Sequence, residues 1–330
     1  MEKEGVELIS RISSVIGFTE AVRHLGTLIK SYNAAKDALI KKRPDVLVLI
    51  DYPDFNIALA GKAKAAGIPV LYYVSPQVWA WRAGRVKKIA ALVDKIAVLF
   101  PFEVDYYKNA GLPCEFVGHP VAEIAAGAGN RTRQELKQEL GLDPERPVIS
   151  LLPGSRPAEI QRHMPVIREV AARIHSELPG FQTVVPLART TECGEDLKHV
   201  TVFIDRTREA LACSDAAAVA SGTATLETAL AGTPMVVFYK ASFFSFHLAR
   251  AMVKVRFVSL VNLLSGREVV RELLQEEAAP ERIFAELRRI LTDRPYRDAM
   301  VSGLKKIQEM MQGKRPSVRV AEIAGELAGW

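Results

Sequence analysis

The chain has 330 residues, 49% apolar and 25% charged, with 44 Lys and Arg against 38 Asp and Glu, a net charge of +6. This is ordinary globular composition over a length that suggests about two domains, and the modest basic excess suits anionic ligands, phosphate groups or an anionic membrane face. With no aromatic-plus-basic repeat there is no case for nucleic acid, and Cys114, Cys193, Cys213 and six scattered histidines have no metal-ligand spacing.

In chain order, residues 19–42 have a helical pattern that closes on Lys41-Lys42-Arg43 and Pro44. Val46–Ile50 is a short apolar run of the kind buried in a parallel sheet. A helix over 55–66 ends at Gly67, and Val70–Val74 reads as the next strand. A basic helix over 82–93, a strand at Lys95–Leu99, a short helix at Glu103–Asn109 and a strand at Glu115–Val117 follow. The alternation predicts a doubly wound parallel sheet.

Residues 121–132 are small and polar, which places a domain boundary there. Strands are then predicted at Val148–Leu152, Thr183–Pro186, Thr201–Ile204, Ala216–Ala220 and Met235–Tyr239, with helices over 163–177, 281–291 and 296–311. The division expected is 1–130, 131–300 and a C-terminal helical segment 301–330 that can return to the first domain. Met1-Glu2-Lys3-Glu4 shows no signal-peptide pattern and no apolar run is long enough to span a bilayer, so the expectation is a cytoplasmic protein, peripheral where it meets a membrane.

Ligands in such sheets bind beyond the carboxyl ends of strands, where three loops are predicted. The run Ser221-Gly222-Thr223-Ala224-Thr225-Leu226-Glu227 is a strand end opening a helix. Free N–H groups and the positive dipole end there suit a phosphate. Gly222 permits close approach, Ser221, Thr223 and Thr225 offer hydroxyls, and Glu227 can accept from a ribose. An ordinary capped helix would read the same way. Pro153-Gly154-Ser155-Arg156 pairs a flexible Gly and a hydroxyl with a permanent cation; a surface turn is the plain alternative. Asp51-Tyr52-Pro53-Asp54-Phe55-Asn56 carries two carboxylates, one of which burial or repulsion would tune as a general base. Asp54 is equally placed to cap the helix that follows.

Ser75-Pro76-Gln77-Val78-Trp79-Ala80-Trp81-Arg82 sets two tryptophans beside cations that continue through Arg85, Lys87 and Lys88. That mixture suits a membrane interface or a sugar-and-lipid pocket, and equally two indoles packed under a loop. The aromatic stretch from Phe243 to Phe257 has helical spacing and reads as core. Asn262 can read a base or sugar edge, or cap a turn.

Together these segments, with Phe116-Val117-Gly118-His119-Pro120 and Val258-Ser259-Leu260-Val261-Asn262-Leu263-Leu264, resemble the lipid-A-disaccharide synthase family. The match runs in order over nearly the whole chain, and Ser-Pro-x-Val-Trp-Ala-Trp-Arg is its most specific part. The resemblance implies a GT-B fold, two Rossmann-like domains facing a cleft. It implies an inverting transfer of diacylglucosamine from UDP to diacylglucosamine 1-phosphate, without metal or other cofactor, at the anionic inner-membrane face.

Carried onto this sequence, the family pattern makes Gly154, Ser155, Arg156, Ser221, Gly222, Thr223, Ala224, Thr225, Glu227 and Asn262 the UDP side. Asp54 is the candidate base with Asp51 in support, and Arg156 meets the leaving charge. Ser75, Gln77, Trp79, Trp81, Arg82 and Arg85 fall on the acceptor and membrane side. A homodimer is the assembly held open. Family members begin with a strand and a Gly-Glu-x-Ser-Gly-Asp loop that this sequence lacks, so Met1 is expected to be a misassigned start or a truncation that leaves Val46–Ile50 at an exposed sheet edge. An epimerase-like UDP-sugar enzyme and a non-catalytic UDP-binding chain are the competing readings.

Overall fold

A computed structural model describes residues 5–10, 25–76, 84–126, 131–189, 197–241 and 256–330. The chain divides into two compact units, Met1–Gly118 with Arg315–Trp330, and His119–Lys314.

The first unit carries α1 (Leu25–Lys42), β1 (Leu47–Ile50), α2 (Pro53–Ala65), β2 (Val70–Tyr73), α3 (Arg85–Leu92), β3 (Lys95–Val98), α4 (Glu103–Lys108) and β4 (Cys114–Phe116). Its four strands are parallel and lie in chain order β1-β2-β3-β4. Alternate residues face opposite sides of a strand. Val70, Tyr72, Ile96 and Val98 pack with Ile57, Ala60, Ile89 and Tyr107, whereas Leu71 and Ala97 pack with Val117 and Ile323. Ile323 belongs to the last helix, α13 (Pro316–Ala328), so the chain returns to cover the second face. Arg319 fastens that helix by donating to Glu115 at 2.6 and 3.1 Å. β1 is the margin of the sheet; no strand among the described residues pairs with its outer edge, and Val48 and Ile50 are exposed.

The second unit contains α5 (Pro120–Ala126), α6 (Arg133–Glu139), β5 (Val148–Leu152), α7 (Pro157–Glu177), β6 (Gln182–Leu187), β7 (Thr201–Ile204), α8 (Thr207–Ala212), β8 (Ala216–Ala220), α9 (Thr223–Leu230) and β9 (Met235–Tyr239). After it come α10 (Leu260–Ser265), β10 (Glu272–Leu274), α11 (Pro280–Thr292) and α12 (Arg294–Met311). The sheet is parallel with order β10-β9-β8-β5-β6-β7. Numbered within the unit, that is the dinucleotide-fold order, whose direction reverses between β5 and β8. Every residue of β5 and of β8 is buried, as sheets covered on both faces require.

Local differences from the sequence reading have simple causes. α7 starts at Pro157, where proline suits the first turn, rather than near 163, and runs on through Pro165. The stretch read as a domain boundary holds most of α5, and α6 is opened by a Thr132–Glu135 capping box.

Candidate functional site

The reversal between β5 and β8 brings two of the predicted loops side by side, because each leaves the carboxyl end of one of these neighbouring strands. After β8, Gly222 has φ 154° and ψ −159°, a region open essentially to glycine alone. It turns the chain directly into α9 with no side-chain cap. The first-turn N–H groups of Thr223 and Ala224 therefore have no helical acceptor, and the positive end of the helix dipole adds to them.

The three hydroxyls of this run are not equivalent. Thr225 is fully buried and donates to Gly222 O at 2.7 Å. Ser221 donates to Val258 O at 3.2 Å. Thr223 alone is exposed, with no side-chain partner among the described residues. So the donor role expected of Thr225 and Ser221 is replaced by one of shaping the loop. Glu227 is half-buried, and burial pushes its carboxyl above the usual carboxylate range. No group among the described residues pairs with it; a pair of ligand hydroxyls would.

The loop after β5 works differently. Gly154 has φ 115°, and a Cβ there would sit 2.7 Å from Glu159 Oε2. That carboxylate, at the third position of α7, accepts from the Ser155 and Arg156 N–H groups at 3.2 and 3.4 Å. Its other oxygen takes Arg156 Nη1 at 3.4 Å and the Tyr239 hydroxyl at 3.3 Å. The backbone donors of Ser155 and Arg156 are thus already engaged. What the loop offers outward is the Arg156 guanidinium, 58% exposed.

Buried His163 braces the same loop. Its Nδ1 lies 2.6 Å from Pro153 O, which only an N–H can satisfy, so Nε2 is the acceptor for Lys240 N–H at 3.1 Å. Burial lowers its pKa and keeps the neutral tautomer that this pair of bonds needs.

Asn262 is a correction. It is fully buried, its Nδ2 donates to Val270 O and Glu272 Oε1 at 2.8 Å each, and its Oδ1 accepts Val269 and Val270 N–H at 2.7 and 3.0 Å. No valence is left to read a base or sugar. Glu272, not picked out from the sequence, is the hub beside it. Its carboxylate takes Val258 N at 2.9 Å, Ser259 N at 3.0 Å and Ser259 Oγ at 2.7 Å. Because Ser221 donates to Val258 O, this hub leads to the phosphate-type loop.

In the first unit, Asp51 and Tyr52 both have positive φ, 50° and 44°. Two consecutive left-handed non-glycine residues persist only where the surroundings hold them. Asn56 Nδ2 donates to Ile50 O and Asp51 O at 3.1 and 2.6 Å, and the buried Tyr72 hydroxyl donates to Asp51 O at 2.7 Å. Burial and the neighbouring Asp51 raise the Tyr72 pKa, so it stays a donor.

α2 begins at Pro53, which puts Asp54 inside its first turn rather than ahead of it. The Asp54 carboxylate is 84% exposed and meets Arg85 Nη2 at 2.5 Å. It lines two hollows, one of about 560 Å³ with Arg85 and Lys88, and one of about 480 Å³ with Tyr32, Tyr52 and Phe55. Asp51 is exposed. Ser75 is buried and donates to Glu103 at 2.7 Å, a structural bond within the unit rather than a ligand contact. Gln77, Trp79, Trp81 and Arg82, and the aromatic stretch to residue 255, lie outside the described residues.

Of the residues missed from sequence, only Glu159 had a local signal, an acidic residue in the first turn of a helix that Pro157 opens. His163 and Glu272 act on partners up to 77 and 14 residues away.

Comparison with known proteins places this arrangement. The family model for lipid-A-disaccharide synthetase matches residues 1–322. A lipid-A-disaccharide synthase of Geobacter metallireducens is 43% identical over 338 aligned residues, covering 100% of this chain and 88% of the relative. One of Myxococcus xanthus is 43% identical, covering 98% and 86%. Among solved structures, the glycotransferase of kitacinnamycin superposes with a TM-score of 0.65 at 17% identity, covering 99% of this chain and 88% of that one. UDP-GlcNAc 2-epimerase from Neisseria meningitidis, bound to UDP-GlcNAc, gives 0.59 at 13%, covering 94% and 83%. The two structures show the fold alone, two Rossmann-like domains of the GT-B class. The family match and the relatives show more: the chain belongs to the lipid-A-disaccharide synthase family.

Proposed function

We propose that this chain carries out its family's reaction with the loops described above. A lipid-A-disaccharide synthase moves 2,3-diacylglucosamine from UDP to the 6-hydroxyl of 2,3-diacylglucosamine 1-phosphate, giving the β-1,6-linked disaccharide and UDP. The observation that carries the reading is the pair of loops at the strand-order reversal of the second unit, one presenting free helix N–H groups and the other a permanent cation.

The donor half is assigned to that unit. Thr223 and Ala224 N–H groups and the α9 dipole receive pyrophosphate oxygens, and Glu227 receives the ribose hydroxyls, which satisfy a carboxylate otherwise desolvated. Gly222 lets the backbone come close, and Gly154 makes room for the Glu159 carboxylate that sets the second loop. Arg156 neutralises the charge that grows on UDP as the anomeric C–O bond breaks. The acceptor half is assigned to the first unit. Asp54 accepts the proton of the 6-hydroxyl as that oxygen bonds to the anomeric carbon from the face opposite UDP. Asp51 contributes through its carbonyl, which holds the turn.

No helix among the described residues is long and apolar enough to cross a membrane. Both substrates are acylated, so the protein docks peripherally on an anionic bilayer, Trp79 and Trp81 being the aromatic contacts. The deciding assay follows UDP release with the acylated donor, with and without acceptor, in neutral detergent and on anionic vesicles. Acceptor-dependent UDP release and co-sedimentation with the vesicles are expected. Conversion of the donor without acceptor would refute the transferase reading, and equal partition on neutral and anionic vesicles would refute the docking.

A further inference from the structure

Arg85 and Lys88 stand three residues apart on α3, hence on one face of the helix, and both line the hollow of about 560 Å³ that also holds Asp54, Ile57, Ala58 and Gly84. Asp54 is the one carboxylate among these lining residues. Arg85 gives it Nη2 at 2.5 Å. A guanidinium presents five N–H donors in a planar fork, so one edge can hold Asp54 while the rest of the fork faces another anion. Lys88 is exposed and has no ion-pair or hydrogen-bond partner among the described residues. Two basic side chains against one carboxylate leave the hollow with an excess positive charge.

We propose that this hollow binds a phosphate monoester, the anomeric phosphate of the acceptor sugar. The inference rests on the reading of Asp54 as the acceptor-side base. A phosphate monoester carries about −1.5 to −2 charge near neutral pH. It is drawn to Lys88 and the open edge of Arg85 and repelled by Asp54. The acceptor is thereby turned so that its phosphate end points away from the base and its free hydroxyl end toward it. Arg85 has two tasks in this arrangement, orienting the Asp54 carboxylate and closing on the phosphate. Lys88 has only the second, which makes it the residue to test.

The test measures steady-state kinetics in neutral detergent with two acceptors, 2,3-diacylglucosamine 1-phosphate and the same sugar without phosphate. Lys88→Gln should raise KM for the phosphorylated acceptor about tenfold, the loss of one charge-assisted contact. Its KM for the UDP-sugar and its Tm should match the wild type, because Lys88 is exposed and bonded to no group among the described residues. The preference for the phosphorylated acceptor should fall by the same factor, and Lys88→Arg should restore most of it. If the wild type and Lys88→Gln treat the two acceptors alike, the proposal fails. It fails equally if Lys88→Gln keeps its acceptor KM and loses only affinity for anionic vesicles, since the cations would then face lipid headgroups. An Asp54→Asn variant that keeps its kcat would refute the base assignment separately, since the acceptor preference is read through Lys88→Gln with Asp54 intact.

Discussion

Glu272 offers the sharpest test of how the phosphate-type loop is held. Its Oε1 accepts from Ser259 N, Ser259 Oγ and Asn262 Nδ2 at 3.0, 2.7 and 2.8 Å, and its Oε2 from Val258 N at 2.9 Å. Glu272→Gln keeps an oxygen for the first three but removes the charge that made them strong, and it turns an NH₂ group toward the Val258 N–H. Hydrogen bonds to a charged group contribute about 1.5–3 kcal/mol each and neutral ones about half that. Ser259 and Asn262 are fully buried, so water cannot replace what is lost. Relaxation of the Val258 segment limits the sum, and a loss of about 2–4 kcal/mol in unfolding free energy is expected.

The functional consequence runs through Ser221, whose hydroxyl needs Val258 O held at 3.2 Å. UDP affinity, measured by calorimetric titration, should fall about tenfold in Glu272→Gln and less in Ser221→Ala. In the double variant the two losses should not add, because Ser221 has no fixed acceptor once Val258 is released. Strict additivity, or unchanged UDP affinity in a Glu272→Gln protein of reduced stability, would refute the coupling.

Two catalytic variants should separate the halves of the reaction. Asp54→Asn should lower kcat by about 10²–10⁴ with UDP affinity near normal, and weakened UDP binding would show that the carboxylate is structural. Arg156→Ala should lower kcat by about 10²–10³ and weaken UDP as well, since the leaving charge is left unmet; a near-normal kcat would remove it from the site. Stability should also depend on pH through His119. Burial pushes its pKa down from 6.5 to about 4, and its Nδ1 accepts from Val121 N–H at 3.2 Å, which requires the unprotonated ring. The folded protein therefore binds fewer protons than the unfolded chain, so stability is full above about pH 6.5 and declines as pH falls toward 4. Buried His163 acts with the same sign. Urea unfolding between pH 7 and 4 should show a shallower decline in His119→Gln; an unchanged slope would refute the assignment.

Much of this protein was legible in its sequence because parallel strands buried on both faces are written as unbroken apolar runs, and Val148–Leu152, Ala216–Ala220 and Met235–Tyr239 stand as strands where they were expected. The family was recognisable from segments spread along the chain. Short helices were harder. α5 is rich in alanine and merges into small residues that look like a linker, although Thr132 and Glu135 had the spacing of a capping box.

Sequence by itself thus determined the fold class and the family, since each depends on local pattern. Only the tertiary structure decided what individual side chains do. Thr225, Ser221 and Asn262 have the composition of ligand contacts, yet their polar atoms are engaged within the protein. Glu159, His163 and Glu272 hold the loops in their place. A hydroxyl, amide or carboxylate has few valences, and whether a ligand or the protein fills them depends on neighbours that strand order brings together from distant parts of the chain.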